Sequence, residues 1–158
     1  MQYFIIILAL VALDQLTKYV ILTTMALGQS IPLVGILKLT YIQNTGAAFS
    51  LFHNASWFFT VVSVITVILI VLALIFWNKP ILRNYHLALS IVIGGAVGNL
   101  IDRVFRGFVV DFIDFTYFPV FNIADIAVCV GVALLALQIF KEGDSDSPKE
   151  AAKNHHKV

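Results

Sequence analysis

Charged residues are scarce in this chain. Lys, Arg, Asp and Glu make up 12% of its 158 residues, against about a quarter in ordinary soluble domains, whereas hydrophobic residues make up 60%. The net charge is only +1, and no basic stretch with interleaved aromatic residues is present, so the sequence gives no sign of nucleic-acid binding. A mean hydropathy of +0.95 indicates instead that lipid surrounds much of the folded chain.

Cysteine is almost absent as well. The single Cys129 excludes an intrachain disulfide framework and a cysteine-based metal site, and its apolar surroundings in the sequence predict a small buried hydrophobic residue. The first apolar stretch has neither a basic leader nor a small-residue cleavage site, and it carries Asp14 and Lys18. We therefore expect this stretch to stay in the protein as a helix and not to be removed as a signal peptide.

Long apolar runs are abundant. A helix needs about 20 mostly apolar residues to cross the hydrocarbon core of a bilayer, and four segments reach that length. These segments are residues 3–22, 57–77, 86–105 and 118–140. The sequence predicts an all-α membrane protein in which four transmembrane helices form a single domain over residues 1–141.

The few basic residues set the expected orientation. The loop at residues 78–84 is short and basic, and the polar tail at residues 142–158, which we expect to be disordered, is rich in lysine. Because basic loops stay on the cytoplasmic side, both termini are predicted to be cytoplasmic. Residues 23–56 and 106–117 then lie on the outer side of the membrane.

The first outer segment has the pattern of a β-strand. Leu37, Leu39 and Tyr41 occupy alternate positions, which is the period of a half-buried strand. We therefore expect a small extracytoplasmic β-sheet, within residues 30–50, that lies on the membrane surface.

Polar residues within the apolar segments are candidates for function because they are costly in a membrane. Asp14 and Lys18 are four residues apart, so they either form a structural ion pair or belong to a site. Asn99, Asp102 and Arg103 lie near the outer end of the third segment. They either form structural polar contacts that fix the helix end or belong to a reaction centre, and the sequence leaves both interpretations open. Gly94 and Gly98 in the same segment form a GxxxG pattern, which favours close helix packing.

Asp111 and Asp125 are the strongest candidates for chemistry. Both have apolar neighbours, and a fold-back of residues 116–120 brings the two carboxyl groups within reach of one water molecule. Two carboxyl groups that close share one proton, and an aspartyl peptidase needs that state. Asn122 can cap the fourth helix and place Asp125 in its first turn, where the helix dipole favours the ionised form. We therefore expect Asp125 to be the ionised partner and Asp111 the protonated one.

Two other interpretations remain open from these residues alone. A chain of membrane acids also builds proton relays, although the acids here gather toward one surface. A non-catalytic membrane subunit held together by its glycine-rich helix faces is the second alternative.

Five ordered motifs resemble those of the bacterial lipoprotein signal peptidases, the type-two signal peptidases, along nearly the whole chain to about Phe140. They are Asp14-Gln15-Leu16-Thr17-Lys18, Asn44-Thr45-Gly46-Ala47-Ala48-Phe49-Ser50, Gly94-Gly95-Ala96-Val97-Gly98-Asn99-Leu100-Ile101-Asp102-Arg103, Val109-Val110-Asp111-Phe112 and Phe121-Asn122-Ile123-Ala124-Asp125. The resemblance implies a membrane aspartyl endopeptidase that cuts prolipoproteins just before a cysteine carrying a diacylglyceryl group. It also implies a bacterial cell membrane location, an active site at the outer face, no metal or organic cofactor, and no required oligomer.

The resemblance also implies which residues act. The catalytic aspartates fall on Asp111 and Asp125. The supporting residues fall on Asp14, Asn44, Asn99, Asp102, Arg103 and Asn122. If these residues act as in the family that the chain resembles, Asn44 and Asn122 would donate hydrogen bonds to the acids or to the substrate backbone. Arg103, tethered by Asp102, would clamp a substrate carbonyl.

Overall fold

Helices account for most of the computed structural model, which describes residues 2–46, 56–76 and 85–145. Helices α1 (Gln2–Thr24), α2 (Ser56–Phe76), α3 (His86–Arg106) and α4 (Ile123–Ser145) are joined with strands β1 (Ser30–Val34), β2 (Leu37–Asn44) and β3 (Val109–Phe115). Within the described ranges, α1, α3 and the Ile123–Glu142 part of α4 are long and apolar enough to cross a membrane, and α2 contains a shorter apolar stretch, Thr60–Leu72. The chain is thus a membrane protein with a small sheet.

Helix α3 is the centre of the bundle. It packs against α1, α2 and α4. Glycines make this close packing possible: a Cβ atom at Gly94 would lie 2.9 Å from Leu10 Cβ in α1, and one at Gly98 would lie 2.6 Å from Asp14 Oδ2. The close helix packing predicted from the GxxxG pattern is confirmed, because the lack of a side chain at each of the two glycines lets α1 approach α3 closely.

The sheet lies at one end of the bundle. Its strands are antiparallel in the order β1-β2-β3. One face packs on the C-terminal end of α1, where a core is formed by Ile21, Met25, Tyr41, Val110 and Phe112. The strand predicted from the alternation at Leu37, Leu39 and Tyr41 is confirmed as β2. The remainder of the predicted β region, residues 47–50, lies outside the described residues.

The start of α4 differs from the prediction. The sequence placed the helix at residues 118–140, whereas α4 begins at Ile123. Phe121 instead forms an isolated antiparallel bridge with Ile113 of β3. An apolar run cannot distinguish a bridge of this kind from a helical turn, so the sequence extended the helix too far toward the N-terminus.

The other end of α4 differs too. It continues through Ser145, so residues 142–145, which were expected to begin a disordered tail, are helical. Residues 146–158 of that tail lie outside the described residues.

The opposite end of the bundle is fixed by aromatic and polar contacts. Tyr3 of α1 stacks on His86 at the start of α3, with ring centroids 5.3 Å apart. The Tyr85 hydroxyl donates a 2.5 Å hydrogen bond to Glu142 Oε2 near the end of α4. Helices α1 and α3 therefore run parallel and α4 runs antiparallel to them, which places the sheet and the start of α4 at the same end.

Candidate active site

The start of α4 carries a reciprocal capping arrangement. Asn122 Oδ1 accepts the backbone N–H of Asp125 at 3.0 Å, and Asp125 Oδ2 accepts the backbone N–H of Asn122 at 3.2 Å. This is the capping-box geometry, with an acid at the third helical position. The predicted cap is confirmed, and Asp125 lies in the first turn of α4.

Asp111 lies on β3 and reaches the same cap. Its side chain is buried, with 2% of its surface exposed. Asp111 Oδ1 accepts a 2.7 Å hydrogen bond from Asn122 Nδ2, and Asp111 Oδ2 accepts a 2.9 Å bond from Asn44 Nδ2. Asn122 therefore binds both acids. It contacts Asp111 through its side chain alone, and Asp125 through both its side chain and its backbone N–H.

Three asparagine amides face these acids with their nitrogen atoms. In each case an N–H donor occupies the amide oxygen: Lys18 Nζ for Asn99 at 2.9 Å, the Gly46 backbone for Asn44 at 2.8 Å, and the Asp125 backbone for Asn122 at 3.0 Å. The amide nitrogen is itself a donor and cannot accept these N–H groups, so the oxygen of each amide must face them. Each Nδ2 therefore faces one of the two acids. Asn99 Nδ2 thereby donates to Asp125 Oδ1 at 2.8 Å.

Burial controls the protonation of Asp111. Loss of solvent and, to a smaller extent, the nearby negative charge of Asp125 raise the pKa of Asp111 from 3.8, and the net value is about 6. The hydrogen bonds from Asn44 and Asn122 and the positive charge of Lys18 act in the opposite direction, because they stabilise the ionised carboxylate. Desolvation is the largest of these effects, so Asp111 holds a proton to higher pH than an ordinary aspartate.

Two further acids hold the backbone just before the candidate pair. Asp102 Oδ2 accepts the N–H of Val110, the residue before Asp111, at 3.0 Å. Asp14 Oδ1 accepts the N–H of Ala124, the residue before Asp125, also at 3.0 Å.

Lys18 joins these two supporting acids. Its ammonium lies 2.9 Å from Asp14 Oδ2 and 3.0 Å from Asp102 Oδ2, and its side chain is fully buried. From the sequence alone, Asp14 was the one ion-pair partner considered for Lys18, because Asp102 is remote in the chain. Arg106 forms a second ion pair with Asp102, so two positive and two negative groups meet in this cluster.

Gln15, like Arg106, was not singled out from the sequence. Its Nε2 lies 3.1 Å from Asp14 Oδ2 and 3.2 Å from Asp102 Oδ1. For Arg106, the signal available in the sequence was helical spacing, since Asp102 and Arg106 are four residues apart.

Arg103 points toward α2. Its Nη1 lies 3.5 Å from Ser63 Oγ, and Asp125, Asp111 and Asp102 are all close enough to attract its charge. The ion pairs of Asp102 are with Lys18 and Arg106. Asp102 also acts electrostatically on Arg103, and its expected role as the tether of Arg103 stays a prediction.

A cavity of about 290 Å³ adjoins Asp125 between α2, α3 and α4. It is lined by Val62, Ser63, Thr66, Val92, Ala96, Asn99, Arg103, Asp125, Val128 and Cys129. Cys129 is exposed, and the prediction that it is buried is wrong, because it faces the cavity side of α4 and not the packed interface with α3. The cavity thus has polar groups at Asn99, Arg103 and Asp125 and mostly apolar walls elsewhere.

The structure brings the sequence-predicted residues together. Asp111, Asp125, Asp14, Asn44, Asn99, Asp102 and Asn122 belong to one hydrogen-bonded network, and Arg103 lies beside it. Among the described residues, no group of three or more His, Cys, Asp or Glu side chains is arranged to hold a metal ion. The arrangement defines a membrane protein with a buried polar site at the sheet end of a helix bundle.

Comparison with known proteins makes the assignment specific. The family model for signal peptidase (SPase) II matches residues 6–141, and the chain therefore belongs to this family of proteases. It is 49% identical to the lipoprotein signal peptidase of Brevibacillus brevis over 146 residues, which is 90% of this chain and 97% of that protein.

Solved structures agree with this assignment. A bacterial membrane enzyme determined by the in meso method at 2.3 Å resolution superposes with a TM-score of 0.82 and 35% identity, covering 93% of this chain and 92% of that one. A second, determined at 1.9 Å, gives a TM-score of 0.79 and 36% identity over 89% of this chain and 93% of that one.

Proposed function

We propose that the chain is an aspartyl endopeptidase that removes signal peptides from diacylglyceryl-modified prolipoproteins, cutting immediately before the lipid-modified cysteine. The observation that carries the proposal is the shared binding of Asp111 and Asp125 by Asn122 beside a cavity. The name of the Brevibacillus brevis relative supports the substrate class.

Asp111 and Asp125 divide the acid and base roles. Asp125 lies at the N-terminal end of α4 and receives hydrogen bonds from Asn99 and the Asn122 backbone, which favour a carboxylate. Asp111, whose pKa is raised to about 6 with burial as the largest cause, keeps its proton to higher pH than an ordinary aspartate and takes the role of the acid. A water molecule held between them loses a proton to Asp125 and attacks the scissile carbonyl carbon, while Asp111 protonates the carbonyl oxygen. The tetrahedral intermediate then collapses: Asp125 gives its proton to the amide nitrogen, the C–N bond breaks, and Asp111 takes back the proton from the former carbonyl oxygen.

The supporting residues position substrate and acids. Asn44, Asn99 and Asn122 hold the two carboxyl groups, and Asp14 and Asp102 hold the backbone beside them. Arg103 at the cavity wall is suited to bind a substrate carbonyl. The lipid-modified substrate enters sideways from the bilayer into the cavity between α2, α3 and α4, and no cofactor is required.

The proposal includes a membrane arrangement. Residues 1–141 form one domain in which all four helices span the bacterial cell membrane, with both termini cytoplasmic. The three-stranded sheet lies on the outer membrane surface, and the acids lie just below it at the outer face. The chain acts without forming an oligomer, because both acids and the residues that hold them belong to one copy.

Replacing each acid separately tests the mechanism. Asp111→Asn and Asp125→Asn are each expected to lower cleavage of a purified diacylglyceryl-modified precursor by at least about 10³-fold, because neither variant can both accept and supply the proton. Mass spectrometry of the wild-type products should identify the lipidated cysteine as the new N-terminus.

Asp114→Asn is the matched control. Asp114 is on the same strand but bonds Thr40 at 2.6 Å, away from the site, so this variant should keep near wild-type activity. Thermal unfolding should confirm that all three variants fold. Substantial cleavage by either acid variant would refute the pair, and pH-driven ion flux in liposomes that these variants abolish would favour a proton relay.

A further inference from the structure

The cluster formed by Asp14, Lys18 and Asp102 connects the backbone beside Asp111 to the backbone beside Asp125. Each acid accepts the backbone N–H of the residue immediately before one of the two aspartates: Val110 before Asp111, and Ala124 before Asp125. The two anchors come from different helices, α3 and α1. Any shift of Asp14 relative to Asp102 therefore changes the separation of Asp111 and Asp125.

Lys18 is the group that fixes this relation. Its ammonium contacts Asp14 Oδ2 at 2.9 Å and Asp102 Oδ2 at 3.0 Å. Its third contact, also 2.9 Å, is to Asn99 Oδ1, and Asn99 Nδ2 in turn binds Asp125. An ammonium has three N–H donors, and these three acceptors match them.

A purely structural ion pair would not need this arrangement. The local pair with Asp14, four residues away on α1, would neutralise Lys18 alone. Instead the fully buried ammonium also bonds an acid and an amide that both belong to α3. Burying an ammonium is costly unless its partners are well placed, so the position of Lys18 depends on all three contacts and transmits any displacement among them.

We propose that Lys18 is a positioning residue of the active site: it braces Asp14 against Asp102, and so sets the spacing of the two catalytic aspartates, while it fixes the amide of Asn99 toward Asp125. Lys18 touches neither the water nor the substrate. This inference rests on the proposed function, since the spacing matters only if Asp111 and Asp125 act as a pair.

The charged groups around Lys18 determine whether its removal raises or lowers the pKa of Asp111. They are Asp14 and Lys18 from α1, Asp102, Arg103 and Arg106 from α3, Asp111 from β3 and Asp125 from α4. The positive charge of Lys18 lowers the pKa of Asp111. Removing that charge therefore raises the pKa of Asp111 and lets it keep its proton to higher pH.

Lys18→Met is the direct test, with the pH dependence of kcat and kcat/KM as the readout. We expect kcat to fall about 10- to 100-fold, since small displacements of reacting groups have effects of this size. KM should change less than about threefold, and the alkaline limb of the kcat/KM profile should move to higher pH. If Lys18→Met gives no cooperative thermal unfolding, Lys18→Gln removes the charge but keeps N–H donors, and the same upward shift is expected of it.

Ile93→Ala is the matched control for lost stability. Ile93 is a buried apolar residue of α3 and has no part in the polar network, so truncating it should destabilise the protein by about 2–5 kcal/mol. Its pH profile should keep the wild-type position. A Lys18 variant that loses stability but retains the wild-type profile would show that Lys18 only supports folding, and the proposal would be wrong.

An infrared titration of the carboxyl groups in the absence of substrate separates this inference from the proposed function. The band that disappears in Asp111→Asn identifies Asp111, and this band should titrate at higher pH in the Lys18 variant. If the Asp111 band titrates at the same pH in the Lys18 variant as in the wild type, the positioning role of Lys18 is refuted, even if the wild type cleaves its precursor. A shifted band in a protein whose wild type cuts no lipid-modified precursor would instead refute the proposed function.

Discussion

Single hydrogen bonds to Asp111 partly offset the effect of burial on its pKa. Burial favours the neutral acid, whereas the donors Asn44 and Asn122 favour the carboxylate. The balance leaves the pKa of Asp111 at about 6, close to the pH at which a shared proton is useful for catalysis. Removing one donor should therefore move the pH profile of the enzyme, and not only its rate.

Asn44→Ala tests this balance. Loss of the 2.9 Å bond to Asp111 Oδ2 removes a group that lowers the pKa of Asp111, so the pKa rises. Because the proposed mechanism needs a protonated Asp111, the alkaline limb of kcat/KM should move to higher pH by about half to one unit.

Gln43→Ala is the neighbouring control for that shift. Gln43 donates to the Tyr41 hydroxyl at 2.8 Å and not to Asp111, so its variant should keep the wild-type limb. A downward shift in Asn44→Ala would mean that Asn44 stabilises the neutral acid, contrary to the assignment.

At the scale of helices and strands, close approach to α3 makes the site possible. Gly98 faces Asp14 so tightly that a Cβ atom would lie 2.6 Å from Oδ2 and 3.3 Å from Ala124 Cβ. The Asp14 carboxylate cannot move aside freely, because Lys18 and the Ala124 backbone hold it. The glycine thus lets α1, α3 and α4 meet at the depth of Asp125.

Gly98→Ala should reverse the usual effect of this change. In a helix, alanine is favoured over glycine by about 0.5–1 kcal/mol, but overpacking a close contact costs about 1–3 kcal/mol. We expect a lower thermal unfolding midpoint together with reduced kcat, because displacing Asp14 moves the start of α4.

The control for Gly98→Ala is Val104→Ala on the exposed face of the same helix. Val104 is 60% exposed in the structure, so its truncation should leave both quantities near the wild-type values. A more stable, fully active Gly98→Ala protein would contradict the packing argument.

Some helix ends and site residues could be predicted from the sequence, and others could not. Length and apolarity located α1, α2 and α3 to within two residues at their described ends, and the motifs located both acids. The start of α4 was misplaced because Phe121 is apolar whether it pairs with Ile113 or turns into a helix. The contact between Lys18 and Asp102 was missed because the two residues are brought together only when α1 packs on α3.

At the scale of the whole molecule, the direction of the helices constrains the number of crossings. The stacking of Tyr3 on His86 places the starts of α1 and α3 at one end, whereas α1 finishes beside the sheet at the other. The chain must therefore return across the bundle between the two helices. Helix α2 is the described element on that path, and its 21 residues span about 31 Å, which matches a hydrocarbon core of about 30 Å.

Labelling with a membrane-impermeant maleimide tests this arrangement. Cys129 is the only cysteine, so a Cys129→Ser background removes the reactive thiol and allows one new cysteine at a time. Val34→Cys, on the exposed sheet, should label in intact cells. Lys141→Cys, on the far end of α4, should label only after the membrane is broken, as should Gln2→Cys at the start of α1. The opposite pattern would invert the orientation, and labelling of Gln2→Cys and Lys141→Cys from different sides would require an odd number of crossings and remove α2 from the membrane.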